Sequence, residues 1–146
     1  MARFEFRLAR LLRLAEAERA ARAEALAQAQ TATARAEAER QARAVACATR
    51  LQAMRADSAS PGIDDWTAER AAYADARLRA AGAECDVHAA GVAEADSTEA
   101  YVRARQEREV LVRLRSRQEG RWRQAEQDRQ QALLDEVGTR RPGGRH

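Results

Sequence analysis

The chain has 146 residues, of which 37 are alanine and only 4% are aromatic, and its formal net charge is +3. Alanine, glutamate, glutamine and arginine are strong helix formers. Large apolar residues are too few for the thick core of a globular enzyme, so the composition predicts an all-α protein with a thin core. No apolar run approaches the roughly 20 residues that span a bilayer. The N-terminus lacks signal-peptide features, so we expect a cytoplasmic protein with reduced cysteines.

The first predicted element is a long helix over about residues 3–57, a stretch without proline or glycine. At its start Phe4, Leu8, Leu11 and Ala15 recur at four-three-four spacing, with Leu12 beside them, which is typical of an amphipathic helix. Farther along, alanine alternates with polar residues in AEALAQAQTATARAEAE. Alternation alone is the period of a strand, but alanine and glutamate favour a helix.

A turn is predicted over residues 58–63, which include Pro61 and Gly62. Asp64 is the expected N-cap of a second, longer helix over about residues 64–137. Heptads counted from Trp66 continue through Glu69 and Tyr73, and seven of the first eight a and d positions are apolar. Three glycines in this helix, Gly82, Gly91 and Gly120, are interpreted as flexible points or points of close helix approach. Residues 139–146 are expected to be a disordered tail.

Neither helix can bury its narrow apolar stripe alone, so we predict one domain over residues 1–138, an antiparallel coiled-coil hairpin of two long helices. This arrangement brings Phe4, Leu8, Leu11 and Leu12 opposite residues 110–117, with Trp122 nearby. Residues 58–100 hold three arginines against nine acidic residues, whereas residues 101–146 hold twelve against seven. The open end of the hairpin is therefore expected to be basic.

No catalytic pattern accompanies this architecture. His88 and His146 lack companions at metal-ligand spacing, and Cys47 and Cys85 are interpreted as small packed residues. Phosphate-binding loops and nucleophile elbows are missing from the sequence. We therefore expect no enzyme activity, metal, cofactor or small-molecule substrate. The arginines around Trp122 in residues 113–124 raise nucleic acid or anionic membrane as a partner. The competing interpretations are solvated arginines paired with glutamates four residues away, or steering toward an acidic protein surface.

Three segments resemble the FliJ family of bacterial flagellar type III export proteins: FEFRLARLLRLAE at the start, SPGIDDWTAERAAY at the turn, and EQDRQQALLDEVGTRR near the end. Together they span Phe4 to Arg141. The resemblance implies a stalk-like coiled coil, similar to the central stalk of rotary ATPases. Such a protein binds the hexameric export ATPase, couples it to the membrane export gate and assists export chaperones. Its expected location is the cytoplasm, peripherally at the inner face of the cell membrane at the flagellar base, where it serves motility and chemotaxis.

The resemblance also implies contact residues. Candidates for the ATPase contact lie in the paired ends of the chain and are Phe4, Leu8, Leu11, Leu114, Trp122, Leu134 and Asp135. Asp135 has the alternative of a solvated carboxylate. The export-gate contact in the family uses an aromatic residue followed by a leucine about one turn later, which Tyr73 and Leu78 match, although Leu78 stands one position late. Tyr73 and Trp66 also occupy seam positions, so a core role is the alternative for both.

Three other functions remain open from the sequence. One is the homologous stalk of an injectisome. Another is an Arg-rich coiled coil that binds nucleic acid or anionic membrane. The last is a structural coiled coil that pairs between chains instead of within one chain.

Overall fold

The computed structural model describes residues 3–56 and 62–139. These residues form two helices, α1 over Ala9–Ala56 with 48 residues and α2 over Ile63–Thr139 with 77 residues, and no strand occurs among them. The predicted all-α class is confirmed, as is the greater length of the second helix. Within the described part of the chain, neither helix has an apolar stretch long enough to cross a membrane.

The first helix begins later than predicted. The Leu12 N–H donates to the Leu8 carbonyl over 2.9 Å and the Ala9 N–H donates to the Phe6 carbonyl over 3.0 Å, while residues 3–6 are not helical. Phe6 is only 9% exposed and Phe4 is half-buried. Two residues that are two positions apart point about 200° away from each other on a helix, so a helical start would bury only one of these rings. The non-helical start buries most of both.

The alanine-alternating segment is helical throughout, as predicted, because α1 continues without interruption to Ala56. Threonines within α1 do not break the helix. Thr31, Thr33 and Thr49 each donate a hydroxyl hydrogen bond to the carbonyl four residues earlier, over 2.9 to 3.1 Å. Their side-chain donors are therefore satisfied inside the helix without competing for its backbone N–H groups.

Asp64 is not the N-cap of α2. The Trp66 N–H donates to the Gly62 carbonyl over 3.1 Å, so the helix begins at Ile63 and Gly62 takes the N-cap place. Asp64 and Asp65 lie in the first turn, where the helix dipole favours a negative charge. Residues 58–61 of the predicted turn lie outside the described residues, as do residues 140–146 of the predicted tail.

The heptad phase predicted for α2 is confirmed by burial from Glu69 onward. Every a and d position from Glu69 to Ala104 is buried or half-buried, and Ala83 and Ala104 are the most buried, at 4% and 5% exposure. Trp66, the first predicted seam residue, is 48% exposed and lies outside the seam. The inner face of α1 follows the same three-four spacing but includes polar residues such as Thr33, Arg40 and Arg43. The core is thin, as the composition predicts.

The chain divides into two compact units, and both helices contribute to each of them. The central unit is Ala21–Val102, and the terminal unit joins Met1–Ala20 to Arg103–His146. In the central unit, Thr33 Oγ1 lies 3.4 Å from the Ala90 carbonyl oxygen and Arg40 pairs with Glu84 over 3.6 Å. These two contacts show that α1 packs directly on α2 in this unit.

The terminal unit also contains contacts between the two ends of the chain. The rings of Phe4 and Trp122 have centroids 6.1 Å apart and are tilted by 48°, and Arg108 pairs with Glu16 over 3.7 Å. An aromatic pair of this geometry stabilises by about 0.5–1.5 kcal/mol beyond its area burial. The start of the chain is therefore anchored to α2 by an aromatic contact.

Candidate docking surfaces

Several large apolar residues of the terminal unit form its packed interior. Leu12 is 6% exposed, and Phe4, Leu8, Leu114 and Trp122 are all half-buried. Those last four were predicted as ATPase contacts. A half-buried side chain can touch a partner only along one edge, so the main effect of these residues is to hold the unit together.

Other apolar residues of the same unit are open to a partner. Leu11 is 50% exposed, Leu14 is 60% exposed and Val110 is 65% exposed. Of the predicted contacts near the N-terminus, Leu11 alone is therefore freely accessible. Leu14 was missed by the sequence reasoning, which followed the apolar stripe; Leu14 lies about 200° around the helix from buried Leu12 but three positions after Leu11, so it extends the exposed flank that Leu11 begins.

Arginines without an ion-pair partner accompany these leucines. Among the described residues of the terminal unit, eight exposed arginines form no ion pair: Arg3, Arg7, Arg10, Arg13, Arg105, Arg115, Arg117 and Arg121. In contrast, Arg113 pairs with Glu109 over 2.7 Å and Arg123 pairs with Glu119 over 2.6 Å. For brevity, the exposed residues Leu11, Leu14 and Val110 together with these eight arginines of the terminal unit are called the arginine-leucine surface.

The two units also differ in net charge. By sequence, the terminal unit holds seventeen arginines against ten acidic residues, a net charge of +7, whereas the central unit holds nine against thirteen, a net charge of −4. The positive charge of the chain is therefore concentrated in the terminal unit. A unit that exposes both unpaired guanidinium groups and leucines suits a partner that is both acidic and apolar.

The end of α2 carries a further accessible apolar strip. All residues from 127 to 139 are exposed, and Leu133, Leu134 and Val137 are 61%, 66% and 67% exposed. Asp135 accepts a hydrogen bond from Gln131 Nε2 over 3.2 Å. The predicted contacts Leu134 and Asp135 are thus accessible and have no packing role, which leaves both of the interpretations of Asp135 open.

The two candidate gate residues lie on different faces of α2. Tyr73 is a half-buried seam residue, whereas Leu78 is 73% exposed. Five positions turn a helix by about 140°, so one flat partner surface cannot cover both residues. Ile63 and Trp66, which are 82% and 48% exposed, are the other accessible apolar residues near the start of α2.

Arg40 and two glutamates form an ionic cluster at the contact between α1 and α2 in the central unit. Arg40 hydrogen-bonds Glu37 over 3.0 Å and also pairs with Glu84 on α2. The hydrogen bond and charge of Glu37 raise the pKa of Arg40, and the charge of Glu84 adds to the increase. The Arg40 cation is therefore held between two carboxylates and serves the helix contact, so it is not available to a partner.

Groups that could hold a metal or act as nucleophiles are scattered. No cluster of three or more His, Cys, Asp or Glu side chains with metal-binding geometry occurs among residues 3–56 and 62–139. Cys47 is half-buried, Cys85 is exposed, and both are free thiols. Exposed His88 has no neighbouring set of ligands.

Comparison with protein-family models, curated proteins and solved structures finds no match to this chain.

Proposed function

We propose that the chain is an antiparallel coiled-coil hairpin. In the central unit, the contact partner moves back along α2 from Ala90 to Glu84 as α1 advances from Thr33 to Arg40. The terminal unit has the same trend, since the partner moves back from Trp122 to Arg108 between Phe4 and Glu16. A partner that recedes while the first helix advances is the pattern expected of antiparallel helices.

We further propose that the protein is a non-enzymatic stalk of the bacterial flagellar export apparatus. In this proposal the terminal unit binds the hexameric export ATPase, the start of α2 contacts the membrane export gate, and the protein assists export chaperones. The protein would reside in the cytoplasm at the inner face of the membrane at the flagellar base. The observation that carries the proposal is the arginine-leucine surface, because a stalk needs an adhesive end that is not consumed by its own packing.

The proposed mechanism divides the binding between charge and apolar contact. Unpaired arginines steer the terminal unit toward an acidic ring and raise the association rate, which falls as salt increases. Leu11 and Leu14 then bury their exposed fractions against the ring and slow dissociation. The half-buried Phe4 and Trp122 pair keeps these elements in position and contributes little direct contact.

The ATPase contact is tested by activity of the cognate export ATPase. Addition of the wild-type protein should raise the ATPase rate. A variant with Leu11→Asp and Leu14→Asp should lose this effect while keeping its helical circular dichroism. The matched control is Val45→Asp, which changes a valine of 54% exposure in the central unit and should leave stimulation intact. Leu8→Asp is a poorer test because Leu8 is half-buried, so the change also disturbs packing.

A wild-type protein that leaves the ATPase rate unchanged refutes the stalk function. Equal loss in the leucine variant and the Val45→Asp control refutes the assignment of the terminal unit as the contact. Gene neighbourhood separates the flagellar stalk from the homologous injectisome stalk, since the two secretion systems lie in different gene clusters.

The second candidate function, binding to nucleic acid or anionic membrane, is favoured by the same unpaired arginines of the terminal unit. Its binding would weaken steeply with salt, because each phosphate contact releases counterions. Absence of binding to duplex DNA and to phosphatidylserine vesicles at physiological salt eliminates this candidate. Sedimentation of the purified chain distinguishes the hairpin from a coiled coil that pairs its seam between chains.

A further inference from the structure

A second exposed face at the start of α2 combines apolar and cationic side chains. It contains Ile63, Trp66, Arg70, Ala74, Arg77 and Leu78, all of which are exposed, and we call it the tryptophan face. Successive positions are separated by three or four residues, or are adjacent, so the six side chains lie along one side of the helix. The face is distinct from the seam, which is occupied by Glu69, Tyr73 and Ala76.

The arginines of this face are free of carboxylates although their surroundings are acidic. Residues 58–100 hold nine acidic residues and only three arginines. Arg79 pairs with Asp75 over 2.9 Å, but Arg70 and Arg77 form no ion pair with any described residue. The Arg70 guanidinium instead lies over the Trp66 ring, 4.8 Å from its centroid. Stacking of this kind orients the guanidinium and leaves its N–H groups available.

A shallow groove completes the face. It has a volume of about 410 Å³ and is lined by Ala74, Arg77, Leu78 and Ala81. The two alanines form a low surface beside the raised Leu78 side chain. An apolar side chain from a partner can therefore contact Leu78 while Arg77 binds a carboxylate at the rim of the groove.

We infer that the tryptophan face binds an acidic amphipathic helix of a partner protein. Arg70 and Arg77 are separated by seven residues, about 10.5 Å along α2, which matches two carboxylates two helical turns apart on the partner. Ile63, Trp66 and Leu78 supply the apolar contact. Tryptophan and arginine are the residue types that most often dominate the binding energy of such interfaces.

The neighbouring carboxylates favour a protein partner over a polyanion. Asp64 and Asp65 lie on the same segment of α2 and would repel the closely spaced phosphates of DNA or an anionic lipid surface. A helix can place its acidic residues only opposite Arg70 and Arg77. If the proposed function holds, this helix belongs to the export gate protein. Only this identification of the partner rests on the proposed function; the binding of an acidic helix does not.

The inference is tested on the full chain with a synthetic probe. The probe is a helical peptide with two glutamates seven residues apart beside a leucine stripe, and its comparison peptide has lysines in place of the glutamates. In a Trp122→Phe background Trp66 is the sole tryptophan, so its fluorescence reports binding. We expect the glutamate peptide to bind and the lysine peptide to fail.

Substitution identifies the face. Arg70→Gln with Arg77→Gln should weaken binding of the glutamate peptide about tenfold or more. The matched control is Arg35→Gln with Arg50→Gln, which removes two exposed arginines of the same unit that also lack ion pairs, and it should bind like the parent. The inference is overturned by no binding of the glutamate peptide, by equal binding of the lysine peptide, or by equal loss in the control. Tighter binding to DNA or phosphatidylserine vesicles than to the peptide overturns it as well.

A second arm uses the cytosolic domain of the cognate export gate protein. If the glutamate peptide binds through Arg70 and Arg77 but the gate domain does not bind, the gate assignment fails and the inference about the face stands. If the gate domain binds equally well to the parent and to the arginine variant, the gate contact of the proposed function stands at another surface, and the naming of the gate protein as the partner of the tryptophan face fails.

Discussion

Leu12 and Leu14 provide the sharpest test of how the terminal unit is packed. They are the same residue type, lie two positions apart in α1, and differ mainly in exposure, which is 6% for Leu12 and 60% for Leu14. Replacement of each by alanine removes the same atoms from the same helix and changes helix propensity by the same small amount. Any difference in stability between the two variants therefore reports the burial of Leu12.

The expected difference follows from the two exposures. Leu12→Ala should destabilise by about 2–3 kcal/mol, the lower part of the range for buried leucine, because a thin core relaxes easily around a lost side chain. Leu14→Ala should cost about 0.5 kcal/mol or less, since most of that side chain is already in water. For a chain of this size the gap between the variants corresponds to about 6–10 °C in melting temperature.

Urea unfolding measures this difference. Circular dichroism follows the whole chain, and fluorescence in a Trp66→Phe background follows Trp122, which lies in the same unit as Leu12. Two probes are needed because two units can unfold in separate steps. The assigned burial is wrong if the two variants unfold at the same urea concentration by both probes, or if Leu14→Ala is the less stable.

Three further predictions concern a glycine of α2, the two tryptophans and the two cysteines. Gly82→Ala should raise the free energy of unfolding in urea by about 1 kcal/mol, because the glycine is helical and an added Cβ meets no atom within 4 Å. A lower free energy of unfolding would contradict the open space at this position. Half-buried Trp122 should emit at shorter wavelength than Trp66 when each is the sole tryptophan, and Phe4→Ala should remove the difference. Exposed Cys85 should react with a thiol reagent faster than half-buried Cys47, as measured on the two single-cysteine variants, and equal rates would contradict the burial of Cys47.

The helices and the seam of α2 were predictable because they depend on local chemistry. Alanine-rich sequence without proline or glycine forms a helix whatever its partner. The heptad phase from Glu69 to Ala104 also emerges directly from sequence spacing. Of the two interpretations of Gly82, Gly91 and Gly120, close helix approach is wrong, since an added Cβ at each position meets no atom within 4 Å. The interpretation as flexible points stays a prediction. Helix propensity tolerates single glycines at a modest cost, so a glycine in a long helix need not have a packing role.

The first residues of both helices were predicted wrongly, because the position at which a helix begins depends on tertiary contacts. α1 begins late because Phe4 and Phe6 are both largely buried. In a helix their side chains would point to opposite sides, and only one of them could be buried. Trp66 fits the heptad by count but lies beyond the buried part of the seam, in the first turns of α2. The periodicity of apolar residues predicts which face of the helix a residue lies on, but it does not predict where the partner helix that covers this face ends.

Which arginines form an ion pair within a helix could be predicted in part from the spacing of arginines and glutamates in the sequence. Glu109, Glu119 and Glu39 each have an arginine four residues before and another four residues after. In all three cases the glutamate pairs with the later arginine: Arg113, Arg123 and Arg43. This is the favoured orientation for helical pairs, with the acid nearer the N-terminus.

The earlier arginine of each set therefore remains free, and two of these, Arg105 and Arg115, belong to the terminal unit. Arg117 and Arg121 have no acidic residue four positions away on either side, so their charge is uncompensated by sequence alone. The interpretation that surface arginines are simply paired with glutamates fails for these four. Since their freedom follows from helix geometry, the positive charge of the terminal unit persists before any partner binds, which is what electrostatic steering requires.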